Sequence, residues 1–315
     1  MRPPAVSVVV VTRNREARLR ALIASLRAQS FPADRFEVVV IDDGSTDGTP
    51  GVLATEADSG DPKIRALRVE DRPGLAALRN RGWLTCEGET IAFIDDDCEA
   101  DPAWLEELVA AVSGGAAVQG RTVPIDAELD REGPLSRTKR IERAGPWFQT
   151  CNIAYPRSLL AELGGFDETF AIAGEDTDLG WRAIARGARV EFAARAVARH
   201  AVEDIGFRGW LRIAARERTL APLFRRHRPL REEVAVAGVF KDREKALFAL
   251  AALSLAAGTR FRPALLGALP YARLLTARCR ATSAGPQWAA WFAAYDAVAA
   301  AQSLRGAVES RTPLV

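Results

Sequence analysis

Short apolar segments alternate with helical periodicity over the first hundred residues of the chain. The mostly apolar segments 6–11, 36–41, 64–69 and 91–94 are bounded by polar or turn-forming residues, which is typical of strands buried in a sheet. Between the first two, residues 16–29 place apolar side chains three and four positions apart, the spacing of a helix with one buried face. This alternation predicts an α/β fold with a mainly parallel sheet and right-handed connections.

The pattern becomes less regular after residue 97. We expect helices at 103–112, 157–163 and 178–185 and strands at 117–123, 148–155 and 189–194. The polar segment 126–145 carries many charges and is predicted to be a mobile or acceptor-facing loop.

The chain reads as helical from residue 206 onward, so we predict an α/β domain at 1–205 and a helical region at 206–315. Residues 210–224 are expected to form one basic amphipathic helix. The apolar segments 245–258 and 265–277 are shorter than the roughly 20 residues that span a bilayer. Two interpretations stay open for them, buried helices or an interfacial helix pair with basic flanks.

Charge is unevenly distributed along a chain of ordinary composition. The net charge is +2, but residues 205–280 carry 16 Lys/Arg against 5 Asp/Glu, which favours phosphates, anionic lipid or an acidic polymer as partners. The four cysteines show no paired spacing, so we predict reduced thiols rather than a disulfide framework or a zinc site. The N-terminus has no signal-peptide pattern, and a cytoplasmic location is expected.

Two acidic clusters are candidates for chemistry. Asp95, Asp96 and Asp97 follow a predicted buried strand, where three adjacent like charges favour a divalent cation with Asp95 and Asp97 on one side. The alternative is a solvated acidic turn. The second cluster, Glu175 with Asp176, lies at a predicted helix start, where acidic residues also serve as caps and dipole partners.

Five segments in order resemble the family 2 glycosyltransferases over roughly residues 5–205. They are Val8–Asn14 (VVVVTRN), Val39–Asp47 (VVIDDGSTD), Asp95–Asp97, Gly165–Glu168 (GFDE) and Glu175–Leu179 (EDTDL). The resemblance implies a GT-A fold, a mixed, mainly parallel sheet flanked by helices, with a helical C-terminal extension. It also implies an inverting, hexosyltransferase-type enzyme that moves a sugar from a nucleotide-diphospho-sugar to an acceptor hydroxyl.

The resemblance assigns roles to individual residues. It implies Asp176 as the general base with Glu175 orienting it, and a Mn²⁺ or Mg²⁺ ion held by Asp97, Asp95 and His200. The implied nucleotide-sugar contacts are Thr12, Arg13, Asp42, Asp43, Arg79, Asn80, Asp95 and Asp96. The family commonly has an aromatic residue where this chain has Arg13, which leaves the identity of the nucleotide base open.

The implied acceptor is a glycan, a lipid-linked molecule or a small molecule, as in synthesis of cell-envelope polysaccharide. Peripheral contact with the inner face of the plasma membrane through 206–315 is a further expectation, and no nucleic acid is expected. One alternative is a non-catalytic sugar-nucleotide or glycan-binding protein. A nucleotidyltransferase is disfavoured, because its glycine-rich triphosphate loop has no counterpart in residues 12–15.

Overall fold

The computed structural model describes residues 3–57, 60–170, 172–282 and 285–312. These residues form two compact units. The first unit comprises the described residues up to Leu129 together with Thr138–Ala201. The second unit comprises Asp130–Arg137 and the described residues from Val202 onward. Part of the polar segment predicted as a loop therefore belongs to the second unit.

The strands are β1 Val6–Thr12, β2 Phe36–Asp42, β3 Lys63–Arg68, β4 Thr90–Ile94, β5 Cys98–Ala100, β6 Ala117–Pro124, β7 Ser136–Arg137, β8 Asn152–Pro156, β9 Val190–His200 and β10 Glu203–Asp204. Within the described residues, eight of them form one sheet in the order β3-β2-β1-β4-β8-β6-β9-β5, and β7 pairs with β10. Strands β3, β2, β1 and β4 are parallel, as are β6 and β9, while β8 and β5 pair antiparallel with their neighbours. The predicted mixed, mainly parallel sheet is confirmed.

The helices flank this sheet in the first unit and make up most of the second. The first unit contains α1 Glu16–Arg27, α2 Thr49–Ala57, α3 Leu75–Thr85, α4 Trp104–Val112, α5 Arg157–Leu163 and α6 Glu175–Ala185. The second contains α7 Gly206–Arg216, α8 Leu220–Arg226, α9 Arg228–Val234, α10 Arg243–Gly258, α11 Leu269–Ala281 and α12 Trp288–Ser310. Short 3₁₀ turns cover Ala33–Arg35, Asp126–Arg131, Glu217–Thr219 and Arg262–Ala268.

The sheet register brings the predicted site residues to the carboxyl ends of the parallel strands. Thr12 at the end of β1 pairs with Asp42 at the end of β2, and β4 lies on the other side of β1 and leads into Asp95. At the far side of the sheet, Cys98 of β5 pairs with His200 of β9. Polar residues distant in sequence therefore collect where the carboxyl ends of parallel strands meet.

The core of the first unit lies between the central strands and their helices. The valines of β1 at 6, 8 and 10 and the leucines of α1 at 19, 22 and 26 are buried, as the sequence periodicity predicts. Each such side chain contributes about 1.5–3 kcal/mol relative to an exposed position. Trp104 adds a polar anchor, because its indole Nε1 donates to Asn152 Oδ1 at 2.8 Å. The site edge is thus held by a close-packed core.

Several predicted elements have different bounds in the structure. The single helix expected at 210–224 is broken at Glu217–Thr219, because Pro222 cannot donate a backbone hydrogen bond and its ring crowds the preceding turn. Strand β8 begins at Asn152 rather than 148, since Phe148 adopts a left-handed φ of 46°. Helix α6 begins at Glu175, three residues before its predicted start.

The second unit packs its helices through aromatic and charged contacts. Phe207 of α7 lies against Trp291 of α12, with ring centroids 4.2 Å apart. Fully buried Asp296 accepts from Lys245 Nζ at 2.9 Å and from Arg278 at 2.7 Å, so its charge is compensated. Among the helices that the structure describes, none has the length and apolarity needed to cross a membrane.

Candidate active site

Asp97, Cys98 and His200 lie together at the end of β9. One ligand-type atom from each residue lies within 4.8 Å of the other two, and His200 Nε2 is 3.4 Å from Asp97 Oδ1. His200 is buried, and Asp97 is half-buried. The predicted metal ligands were Asp97, Asp95 and His200; among the described residues, the group contains Asp97 and His200 with Cys98 and does not contain Asp95. Metal binding by these residues stays a prediction.

The donor set fits a divalent cation. His200 Nδ1 lies 2.8 Å from the carbonyl oxygen of Ala201, which only accepts, so Nδ1 donates and Nε2 faces Asp97. Neighbouring ligands about 2.1 Å from one ion lie roughly 3.0–3.5 Å apart, the separation of Nε2 from Oδ1. Burial raises the pKa of Cys98 well above its usual range, so Cys98 stays a thiol that hard cations bind poorly.

The middle carboxylate of the cluster, Asp96, has a raised pKa. Burial, and then the charge of Asp97, raises the pKa of Asp96 to about 7, while the Thr12 hydroxyl and Arg15 act in the opposite direction. Arg15 also lies 3.8 Å from Asp97 Oδ2. Thr12, Asp96 and Asp97 therefore share one environment, although their predicted contacts with a nucleotide sugar stay predictions.

Asp42 and Asp43 at the end of β2 have different surroundings. Asp42 is buried, with Oδ1 accepting from the Ser45 N–H at 2.9 Å and Oδ2 from Arg68 at 2.9 Å. Asp43 Oδ2 accepts from Arg13 at 3.4 Å, whereas its buried Oδ1 has no hydrogen-bond partner among the described residues. Asp42 thus stabilises the loop, Asp43 keeps an unused acceptor atom, and the predicted nucleotide contacts of both residues stay predictions.

Arg79 on α3 connects the two acidic clusters. Its buried guanidinium donates to Glu175 and lies 3.8 Å from Asp95 Oδ1. Burial disfavours the charge of Arg79, but Glu175, Asp95 and Asp176 outweigh burial and raise its pKa. The clusters that the sequence separates by some eighty residues are therefore linked through the Arg79 side chain, as residues of a shared active site would be.

Asp176 is the half-buried carboxylate of the second cluster, and Glu175 is its buried neighbour in the first turn of α6. Burial, and then the Glu175 charge, raises the pKa of Asp176 to about 6, while Arg79 and Lys139 act against the rise. Glu175 Oε2 is buried without a hydrogen-bond partner among the described residues. A carboxylate with a pKa near 6 is suited to accept a proton at neutral pH.

Hydrogen bonds with Arg182 and Asn80 order the chain segment 163–168 that precedes this helix. Fully buried Asp178 accepts from Arg182 at 2.7 Å, and Arg182 also donates to the carbonyl oxygens of Leu163 and Gly165. Asn80 donates to Phe166 O and Glu168 and accepts from Phe166 N–H and Trp83. All groups of the Asn80 amide are thus used within the protein, and its predicted nucleotide contact stays a prediction.

Sequence reasoning missed four residues of this site. Arg15 lies beside Asp97, and Cys98 belongs to the group with Asp97 and His200. The charge of Lys139 lowers the pKa of Asp176, and the Asp176 charge raises the pKa of buried Tyr155 of β8. The Tyr155 hydroxyl has no hydrogen-bond partner in the described part of the chain. Only Cys98 carried a signal, its position directly after the three aspartates.

Comparisons with known proteins identify relatives of this chain. The pre-mycofactocin glycosyltransferase of Mycobacterium tuberculosis is 31% identical over 253 residues, 72% of this chain and 50% of that protein. The validoxylamine A glucosyltransferase of Streptomyces hygroscopicus is 31% identical over 222 residues, 58% of this chain and 49% of that protein. The chain therefore spans about half the length of these relatives.

The mannosyltransferase PcManGT of Pyrobaculum calidifontis, solved with GDP-Man and Mn²⁺, has a similar structure. The TM-score is 0.67 at 24% identity, with 96% of this chain and 88% of that chain covered, which confirms the expected GT-A-type fold. The family model described as glycosyl transferase family 2 matches residues 7–171, more than half of the chain. The predicted resemblance is confirmed, and the chain belongs to glycosyl transferase family 2.

Proposed function

We propose that the protein is an inverting glycosyltransferase that moves a sugar from a nucleotide-diphospho-sugar to an acceptor hydroxyl. The observation that carries the proposal is Arg79, which contacts Glu175 and lies 3.8 Å from Asp95. Arg79 thus links the aspartate cluster that begins at Asp95 to the Glu175–Asp176 pair, in which the pKa of Asp176 is raised to about 6. Inverting transfer needs groups for the leaving diphosphate and for the attacking alcohol.

Asp95, Asp97 and His200 would hold the divalent cation. The bound ion supplies Lewis-acid stabilisation of the diphosphate leaving group. We propose Mn²⁺ over Mg²⁺, because an imidazole nitrogen joins the carboxylates, and the Mn²⁺ in the PcManGT complex supports this choice.

The other residues of the site have separate proposed roles in donor binding, positioning and proton transfer. Asp43, with its buried acceptor atom, is the proposed contact to the base, together with Arg13 and Thr12 at the adjacent strand end. Arg79 is buried between carboxylates, so its role is to position Glu175 and Asp95. Across the cleft, Asp176 takes the proton of the acceptor hydroxyl, and Glu175 helps to keep its pKa raised.

The acceptor is proposed only as a class: a glycan, a lipid-linked molecule or a small molecule, as in cell-envelope polysaccharide synthesis. A cytoplasmic location with peripheral contact to the plasma membrane through the second unit is part of the proposal. A non-catalytic sugar-binding protein is less consistent with the site, because such a protein has no need of a carboxylate with a raised pKa facing the cation cluster.

A donor screen tests the proposal. Hydrolysis or transfer is measured from a panel of UDP-, GDP- and dTDP-sugars with Mn²⁺, with Mg²⁺ and with a chelator. We expect one donor class to turn over in a metal-dependent way and Asp176→Asn to abolish that turnover. Turnover that persists in Asp176→Asn, or that a chelator leaves unchanged, would contradict the assignment.

A further inference from the structure

The second unit exposes a concentration of large apolar side chains. Of the sixteen exposed large hydrophobic residues among those that the structure describes, seven lie within residues 250–269. They are Leu250, Leu253, Leu255, Phe261, Leu265, Leu266 and Leu269. Leu253, Leu266 and Phe261 keep 71%, 67% and 64% of their surface exposed. Monomeric proteins seldom leave such a run of apolar residues in water without a binding role.

Close packing fixes the backbone that carries this apolar patch, residues 250–269. A Cβ on Gly258 would overlap Leu265, and a Cβ on Gly267 would overlap Ser254. These glycines let the end of α10 approach the 3₁₀ turn Arg262–Ala268 closely. The exposed leucines therefore project from a compact helical hairpin.

The stretch of sequence that carries the patch is basic, and the acidic residue Glu244 at the start of α10 is paired with Arg278. No Asp or Glu occurs in the sequence between Lys245 and Tyr295. Buried Lys245 and half-buried Arg278 are paired with Asp296. The other basic residues of this stretch are Arg260, Arg262, Arg273 and Arg280, all exposed and without an ion-pair partner among the described residues. An apolar surface with uncompensated arginines is complementary to anionic headgroups above acyl chains.

The apolar face of a second amphipathic element of this unit is partly covered. Helix α7 has an apolar face, but Phe207 lies against Trp291, and the Trp210 ring contacts Tyr295 edge-on at 5.2 Å. The aromatic residues of α12 therefore cover part of that face, while Phe207 keeps 51% of its surface exposed. Since no described helix is able to span a bilayer, the patch would lie on a membrane rather than cross it.

We propose that residues 250–269 insert into the surface of an anionic bilayer, with the neighbouring arginines at the lipid phosphates. The inference rests on the membrane contact in the proposed function but not on glycosyl transfer. A binding assay without any sugar donor therefore separates its failure from failure of the proposed activity.

The test is co-sedimentation of the full chain with phosphatidylcholine vesicles that contain 0 or 30% phosphatidylglycerol. We expect binding that requires the anionic lipid and weakens with salt. Replacing Leu253 and Leu266 together by Ser should lower the partition coefficient about 10-fold or more. Replacing Arg260 and Arg262 together by Gln should lower it by about 5-fold for each charge removed.

Val308→Ser is the matched control, because Val308 is 77% exposed on α12 and lies outside the patch. It should bind vesicles like the wild type, and thermal melts should show that all variants are folded. Equal binding by Val308→Ser and the double-leucine variant would overturn the proposal, as would no binding of the wild type to anionic vesicles. A dimer in sedimentation that only the double-leucine variant loses, without vesicle binding, would instead assign the patch to a second copy.

Discussion

Asp176 and Asp178 lie two positions apart on α6, and the structure predicts opposite effects when each is replaced by Asn. Asp176 is half-buried and has a pKa raised to about 6, first by burial and then by Glu175. Asp178 is fully buried, and Arg182 donates to it at 2.7 Å. Neutralising Asp176 removes an unfavourable charge, whereas neutralising Asp178 breaks a favourable pair.

The pKa of Asp176 gives the magnitude. A rise from 3.8 to about 6 costs the folded state about 3 kcal/mol when the group is ionised, at 1.36 kcal/mol per pKa unit. Because the folded-state pKa is above the unfolded one, this cost is complete above pH 6, about half as large at pH 5 and absent well below 3.8. Asp176→Asn removes this cost, but it also removes a negative neighbour that stabilises the charge of Arg79. We therefore expect the substitution to raise the free energy of unfolding by roughly 1–3 kcal/mol at pH 8.

Asp178→Asn should instead lower the free energy of unfolding by roughly 3 kcal/mol, because it leaves Arg182 without its carboxylate. Urea denaturation of both variants and the wild type at pH 5 and pH 8 measures these changes. The gain from Asp176→Asn should shrink at pH 5, and its sugar-transfer rate should fall about 10²–10⁴-fold. If Asp176→Asn were as destabilising as Asp178→Asn at pH 8, the assignment of Asp176 as an electrostatically unfavourable base would be wrong.

Three further predictions test other parts of the site. The kcat/KM of the wild type should rise with pH up to about 6 and then level, because Asp176 must be ionised to accept a proton; a rise centred above pH 7.5 would point to another base. His200→Ala should weaken Mn²⁺ binding, measured by calorimetry without nucleotide, about 10-fold or more, whereas His227→Ala in the second unit should not. Arg79→Met should lower the free energy of unfolding by about 3–5 kcal/mol, because Glu175 would remain buried without its partner. Denaturation of Arg79→Met measures this loss, with Arg79→Lys as the control that keeps the positive charge. Equal stability of Arg79→Met and the wild type would show that this ion pair does not hold the cleft.

The sequence was sufficient to predict the sheet and the part of the site that follows β1, β2 and β4. Residues following β1, β2 and β4 were predictable as neighbours, because the carboxyl ends of adjacent parallel strands lie together. The spacing of apolar residues likewise predicted α1 and its buried face. These inferences need only local periodicity and general rules of sheet topology.

Contacts that depend on tertiary packing were not predictable in the same way. The link from Arg79 to both acidic clusters requires α3 and α6 to approach each other, which no local pattern encodes. The left-handed φ of Phe148, which delays the start of β8 to Asn152, is equally invisible to residue propensity. Apolar composition at 245–277 fitted both buried helices and an exposed interface, because periodicity does not tell which faces stay uncovered. Pro222, by contrast, was a readable signal for the break between α7 and α8.

The central claim is that cation binding and proton abstraction belong to separate residues of one cleft. Calorimetric titration of a nucleoside diphosphate with and without Mn²⁺, combined with a transfer assay, tests it on the wild type, Asp97→Asn and Asp176→Asn. The account predicts Mn²⁺-dependent binding by the wild type and Asp176→Asn, weakened binding by Asp97→Asn, and transfer by the wild type alone. Transfer by Asp176→Asn, or nucleotide binding that ignores Mn²⁺ in all three proteins, would contradict it.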